Sequence, residues 1–178
     1  MALSVFKLLR SFLFLGVFLL AEGVIAAEYR VEAEDVLKIT VFDEPDLSID
    51  EARVSSDGII ALPLIDEISV KGLTTEQIAR RVEKKLADGY LKKPRVSVTI
   101  FEYRQFFVHG AVEKPGGYSY QTGLTVERAI VLAGGLTERA SDRKITLVRE
   151  VEPEKVISVN MNQLVRPGDV ISIGESFF

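Results

Sequence analysis

Few residues in this chain are equipped for chemistry, and their spacing is poor for catalysis. His109 is the only histidine among 178 residues, and cysteine and tryptophan are absent. A lone imidazole on an alternating strand has no nucleophile or companion ligand beside it, so His109 reads as structural. Without cysteine there is no disulfide, thiolate metal site or thiol nucleophile. Carboxylates do cluster, as Asp43, Glu44 and Asp46 and again as Asp57, Asp66 and Glu67. Glycoside hydrolysis needs two carboxyl groups roughly 5–10 Å apart across a sugar cleft. These acids lie in or beside turns, where solvated carboxylates are the ordinary outcome. Gly116-Gly117 and Gly134-Gly135 satisfy neither GxxxxGK[ST] nor GxGxxG and read as turn and helix-end residues. No catalytic residue, metal ligand or cofactor is assigned. What remains is aromatic: Tyr90, Tyr103, Tyr118 and Tyr120 carry faces that suit the apolar side of a pyranose. They are the candidate glycan contacts, although half-buried tyrosines at sheet edges are also common. Phe106 and Phe107 read as core, whereas Phe177 and Phe178 are open to a partner.

The composition is that of a folded protein, 47% hydrophobic and 27% charged, long enough for one ordinary domain or two small ones. The first residues read as an export signal. Lys7 and Arg10 precede an apolar run, Ser11–Ala21, and Val24-Ile25-Ala26-Ala27 offers cleavage after Ala26 or Ala27. The run is well short of the ~20 residues that span a bilayer. Cleavage is therefore the expectation, over 1–26. It would leave 20 basic and 25 acidic residues and a net charge of −5. A net acidic chain argues against a nucleic-acid surface.

The elements that must position these side chains alternate short strands with two helices. Glu28–Ala33 and Val36–Phe42 read as strands, the second with Val36, Leu37, Ile39 and Val41 around Lys38 and Thr40. Leu47–Arg53 reads as a loop or weak edge strand. Asp57-Gly58 gives a hairpin signal, because glycine accepts the positive φ such turns demand. Pro63 marks a strand end or edge, Ile65–Val70 is a further strand, and Gly72 frees the turn into a helix. Thr74 with Gln77 forms a capping-box pattern. Ile78, Val82 and Leu86 place one apolar stripe on that helix, opposite Arg80, Arg81, Lys84 and Lys85, and Gly89 is its natural stop. Val96–Ile100 alternates as a half-buried strand.

A second unit starts near Gln105 with a strand over Phe107–Val112. Pro115-Gly116 suits the centre of a type II turn. Thr125 caps a short helix, Val126–Ala133, ended by Gly134-Gly135. Ile145–Arg149 and Val156–Val159 read as strands joined by a charged turn at Glu150–Lys155. Gly168-Asp169 leads into a last strand, Val170–Ile173. Glu34-Asp35-Val36-Leu37-Lys38-Ile39 is faintly echoed by Gly168-Asp169-Val170-Ile171-Ser172-Ile173, six residues that are too few to establish a repeat.

Together, Tyr29–Phe42, DGIIALPLIDEISVKGLTTEQ and KKPRVSVTI resemble the N-terminal export domain of bacterial polysaccharide biosynthesis/export proteins. VHGAVEKPGGYSY, LTVERAIVLAGGLTERA and VRPGDVISI resemble the β-grasp soluble-ligand-binding domain that follows it there. The resemblance implies an α+β fold: an export domain over 27–103 and a β-grasp domain over 104–175. In it Asp57, Gly58, Pro63, Gly72, Thr74, Pro115, Gly116, Gly134, Gly135, Gly168 and Asp169 shape turns, strand ends and helix starts. It implies a non-enzymatic periplasmic component of capsule or exopolysaccharide export. The implied partners are the polysaccharide, an inner-membrane co-polymerase, other copies of the chain in a ring and a separate outer-membrane barrel. Two departures stand out: no cysteine is available for a lipidated N-terminus, and only GESFF follows Ile173, without the C-terminal membrane helix of longer relatives. Asp66 stands where glycine is frequent, and Glu34 before Asp35 is another small difference. The competing reading is a secreted glycan- or small-ligand-binding module that does not conduct polymer.

Overall fold

A computed structural model describes residues 28–176; the candidate export signal and Phe177-Phe178 lie outside them. The fold is α+β, with two apolar cores that follow one another along the chain. In the first, β1 (Val36–Val41) is the central strand, flanked antiparallel by β2 (Ile49–Arg53) and β5 (Val96–Glu102). The period-2 pattern of β1 sends Leu37, Ile39 and Val41 inward and leaves Lys38 exposed. Opposite them on β5 stand Ile100, Val98 and Val96.

Helix α1 (Thr75–Ala87) covers this sheet with Ile78, Val82 and Leu86, each 1% exposed or less. Full burial of each such side chain contributes roughly 1.5–3 kcal/mol. Both capping-box bonds form: the Gln77 backbone N–H donates to Thr74 Oγ1 at 3.3 Å, and the Thr74 N–H to Gln77 Oε1 at 3.0 Å. The helix ends at Gly89, at φ +93°.

A separate hairpin pairs β3 (Ile59–Leu62) with β4 (Asp66–Ser69), in register from Ile59↔Ser69 to Leu62↔Asp66. This relocates the hairpin read at Asp57-Gly58. The turn is there, with Gly58 at φ +77°, but the strands on its two sides do not pair. The Gly58 carbonyl instead accepts from Val70 and Lys71 N–H, and the Ser55 hydroxyl accepts from Ile59 N–H. The reversal sits at Pro63-Leu64-Ile65, and Pro63 marks the end of β3 as expected. Glu28–Ala33 is not a strand. Val31 alone exchanges backbone bonds with the loop at Gly72-Leu73, so no ladder propagates.

The second core lies under a five-stranded sheet of order β7–β6–β10–β8–β9. β6 (Phe106–Gly110) and β10 (Val170–Glu175) run parallel at its centre, and the other pairs are antiparallel. Helix α2 (Val126–Leu132), capped by Thr125, buries Val126, Ala129 and Ile130 in this core. The parallel pairing packs one residue especially closely. Gly110 takes φ +90°, and a Cβ there would sit 2.2 Å from the Ile173 carbonyl oxygen, so only glycine fits.

Three local elements differ from the sequence expectation. Gly116 does not adopt positive φ; it opens β7 (Gly116–Tyr118) opposite Val108, so Pro115-Gly116 is not a type II turn. β8 (Ala140–Arg149) begins five residues before Ile145, because Ala140 pairs with Glu175 at the extended end of β10. β9 (Glu152–Ser158) begins earlier than Val156, so Glu150-Val151 alone makes the turn. Charged stretches hid the beginnings of β8 and β9. Both are solvent-facing, where burial does not require apolar residues.

Candidate functional site

Between β5 and β6 only Tyr103, Arg104 and Gln105 connect the two cores. A cleft of about 510 Å³ opens there, with Tyr29, Tyr103, Tyr120, Arg104, Arg149 and Arg166 in its walls. Its geometry starts from Asp35, fully buried at the head of β1. Asp35 Oδ2 accepts from the Tyr29 hydroxyl at 2.7 Å and from Glu32 N–H at 2.9 Å, while Oδ1 accepts from Arg104 N–H at 2.9 Å. A buried carboxylate is tolerable only when donors surround it in this way.

Arg104 is the hub. Its Nη1 donates to the Tyr29 hydroxyl at 2.7 Å and lies 3.4 Å from Asp35 Oδ2, and its Nε donates to Glu150 Oε2 at 2.6 Å. Glu150 sits in the β8–β9 turn, so one guanidinium ties β1 to the far sheet. Burial works to lower the Arg104 pKa, but Tyr29, Glu150 and Asp35 outweigh it and hold it above the ordinary value. Burial, and then the bond to Asp35, push the Tyr29 hydroxyl far above the usual tyrosine range, so it remains a donor at any physiological pH.

Asp169 makes the matching arrangement at the head of β10. It is 1% exposed, and its Oδ2 accepts from Arg166 N–H at 2.7 Å and from Arg149 Nη1. Burial raises its carboxyl above the ordinary range more than the Arg166 N–H and the guanidiniums of Arg149, Arg166 and Arg104 lower it.

Aromatic rings complete the wall. Tyr103 stands edge-to-face between Tyr29 (4.9 Å, 88°) and Tyr120 (5.2 Å, 82°). Two of the four candidate tyrosines are thus brought together. Tyr118 instead packs its ring 5.9 Å from Phe106 and donates its hydroxyl to the Lys114 carbonyl. Tyr90 is exposed beyond the end of α1 and joins none of these ring pairs. Tyr29 and Arg104 are members of the site that sequence reasoning did not single out. The available signal was a lone arginine in the three-residue connection between β5 and β6.

The remaining candidates lie elsewhere. His109 is exposed on β6 opposite Ser172. Asp57, Asp66 and Glu67 are exposed, and no cluster of three metal-ligating side chains occurs among the described residues. A wider hollow of about 820 Å³ lies between β4 and α1, where Arg81 and Lys85 donate to the Ser69 and Glu67 carbonyls. Those bonds fasten the hairpin to the helix, which accounts for both cations structurally.

Comparison with known proteins adds sequence relationships to this geometry. Residues 24–101 match the family model for polysaccharide biosynthesis/export protein, and residues 105–160 match the SLBB domain. The exopolysaccharide production protein ExoF of Rhizobium meliloti (strain 1021) is 32% identical over 122 residues, covering 62% of this chain and 29% of that protein. The EPS I polysaccharide export outer membrane protein EpsA of Ralstonia solanacearum is 28% identical over 176 residues, covering 84% of this chain and 46% of the relative. Its counterpart in Ralstonia nicotianae (strain ATCC BAA-1114 / GMI1000) is 26% identical over 184 residues, covering 83% and 48%. The chain therefore spans less than half the length of each of these relatives.

Proposed function

This chain belongs to the polysaccharide biosynthesis/export protein family, and from that premise we propose that it is a periplasmic, non-enzymatic component of an exopolysaccharide export channel. The observation that carries the reading is the ordered pair of matches, export model then SLBB model, each lying over one of the two apolar cores. On this reading the chain consists of an export domain over 27–103 and a β-grasp domain over 104–175, preceded by a cleaved signal over 1–26. Copies assemble into a ring whose polar lumen passes the polymer toward the outer membrane through many weak contacts. A tight site would hold the polymer and slow its passage, which fits a cleft of tyrosines and charged groups rather than a deep apolar pocket. An inner-membrane co-polymerase supplies the chain, and a separate barrel protein carries it across the outer membrane. No described helix is long and apolar enough to cross a membrane.

Deleting the protein tests this reading. Loss of surface polysaccharide with polymer retained in the periplasm is the expected result, and normal secretion overturns it. Analytical ultracentrifugation with and without the co-polymerase tests the ring separately. A monomer under both conditions at high concentration removes the ring while leaving the role in export.

A further inference from the structure

We propose that the cleft at the junction of the two cores binds an acidic sugar residue, its pyranose against Tyr103 and Tyr120 and its carboxylate on Arg166. The proposal rests on the export reading, which supplies the carbohydrate; the acidic specificity comes from the cleft itself.

The charges in and around the cleft are mostly committed to one another. Arg104 is held by Glu150, Asp35 and Tyr29, and Arg149 by Asp169 and the Leu164 carbonyl. Arg30 donates to the Gly72 carbonyl, and Glu32 faces Lys71 at 3.4 Å. Arg166 differs. Its backbone N–H is used by Asp169, but its guanidinium makes no hydrogen bond or salt bridge among the described residues. It is exposed in the cleft wall, close enough that its charge acts on both Tyr120 and Asp169. A planar fork of donors left open beside aromatic rings suits a carboxylate, which it can meet with two parallel bonds.

The rings supply the other half of the site. Tyr103 and Tyr120 are half-buried, so they are held in place while keeping part of their surface in the cleft. Tyr29 is fixed by Asp35 and Arg104, and in turn props Tyr103 edge-on. Aromatic faces of this kind accept the C–H side of a sugar ring. Glu28, the one acid of the cleft without a bonded cation among the described residues, is exposed, where solvent and salt screen its repulsion. A volume of about 510 Å³ accommodates one or two sugar residues of a longer polymer rather than a whole oligosaccharide.

Intrinsic tyrosine fluorescence reads the test directly, because there is no tryptophan to mask it and three of the five tyrosines line the cleft. The purified protein is titrated with hexagalacturonate and with maltohexaose at low and high salt. The acidic oligosaccharide is expected to give the saturable change about tenfold more tightly at low salt, the scale of one charge-assisted hydrogen bond. Arg166→Gln should abolish that preference while leaving the weak response to maltohexaose. Tyr120→Leu should weaken both sugars. Equal binding of both sugars by the wild-type protein, no binding of either, or an unchanged preference in Arg166→Gln overturns the proposal. Circular dichroism of each variant confirms folding, and Arg166→Lys, which keeps the charge without the planar fork, should retain part of the preference. A deletion strain that fails to secrete polymer while the purified protein ignores both sugars leaves the export reading standing and removes the acidic-sugar site. Binding with the expected preference alongside normal secretion in the deletion strain does the reverse.

Discussion

Asp35 and Asp169 close the same turn, one beside each core. Each stands just before the strand at the centre of its sheet, and each follows a residue at positive φ, Glu34 at +68° and Gly168 at +80°. Each donates its backbone N–H to the carbonyl three residues back, Glu32 at 3.4 Å and Arg166 at 3.2 Å. Each also uses Oδ2 to accept the N–H of that same residue, at 2.9 Å and 2.7 Å. Each carboxylate is buried and faces an arginine, Arg104 or Arg149. The faint sequence echo around these residues therefore has a structural counterpart: a turn that must bury an acid and therefore needs a cation.

Asp35→Asn tests how much the first of these turns contributes. The substitution keeps the shape but removes the charge that Arg104 and Tyr29 face. Breaking one side of a buried pair leaves the other uncompensated, typically a loss of about 3–5 kcal/mol. Because asparagine still offers one carbonyl oxygen, the lower end of that range is expected in urea unfolding. A loss under about 1 kcal/mol would show the carboxylate charge to be incidental to the turn.

Asp169 reverses the usual dependence of stability on acid. Its folded pKa is raised by burial, so the native state holds this proton more tightly than the unfolded chain does. Its contribution is therefore fully present below the ordinary carboxylate range and is lost as pH rises through the folded value. The stability difference between wild type and Asp169→Asn should shift in favour of the wild type as pH is lowered from 7 to 4. Guanidinium or urea melts of both proteins at the two pH values measure it. A shift in the opposite direction would mean that the Arg149 contact outweighs burial.

Glu34 and Asp66 carry side chains in the left-handed region, at φ +68° and +52°. For a residue other than glycine this conformation costs on the order of 1 kcal/mol, less for aspartate. Asp66 stands where the sequence resemblance leads one to expect glycine, and the dihedral supplies the reason. Glu34→Gly is expected to stabilise the protein by about 0.5 kcal/mol after glycine's greater unfolded-state entropy is deducted. Asp66→Gly should change stability by less. Thermal melts of the two single variants measure both, and a fall in Tm for Glu34→Gly would show that its 3.5 Å pairing with Arg53 matters more than the backbone.

Much of this fold could be read from side-chain periodicity, because β1, β5 and α1 are amphipathic elements whose burial pattern is their sequence pattern. Thr74 and Gln77 announced the start of α1, and both bonds are present. Where the reading failed, the deciding interaction lay far away in sequence. Ala140 joins β8 because Glu175 pairs with it, and the strands on either side of Asp57-Gly58 join different sheets, β2 pairing with β1 and β3 with β4. The cleft was only half legible for the same reason. Tyr103 and Tyr120 could be named as aromatic candidates. Tyr29 gains its place through Asp35 and Arg104, partners 6 and 75 residues away, and through the ring of Tyr103.

Arg104 is expected to make the two cores unfold as one. Their apolar interiors are separate, and the connection between β5 and β6 is three residues long. Cooperation must then come from polar and aromatic contacts across the junction. Arg104 reaches Asp35 and Tyr29 on one side and Glu150 on the other, while Tyr103 meets both Tyr29 and Tyr120. Calorimetry of the wild-type protein should show a single transition whose van't Hoff and calorimetric enthalpies agree. Arg104→Ala removes the guanidinium and strands the buried Asp35, so the core around β1 should melt first and split the transition in two. Arg104→Lys keeps a charge but cannot fork to three partners, so it should broaden the transition without fully splitting it. Glu150→Gln, which leaves Asp35 paired, should reduce the coupling without destabilising the β1 core. A single unshifted transition in Arg104→Ala would assign the coupling to the tyrosines instead, and Tyr103→Leu would then be the variant that divides it.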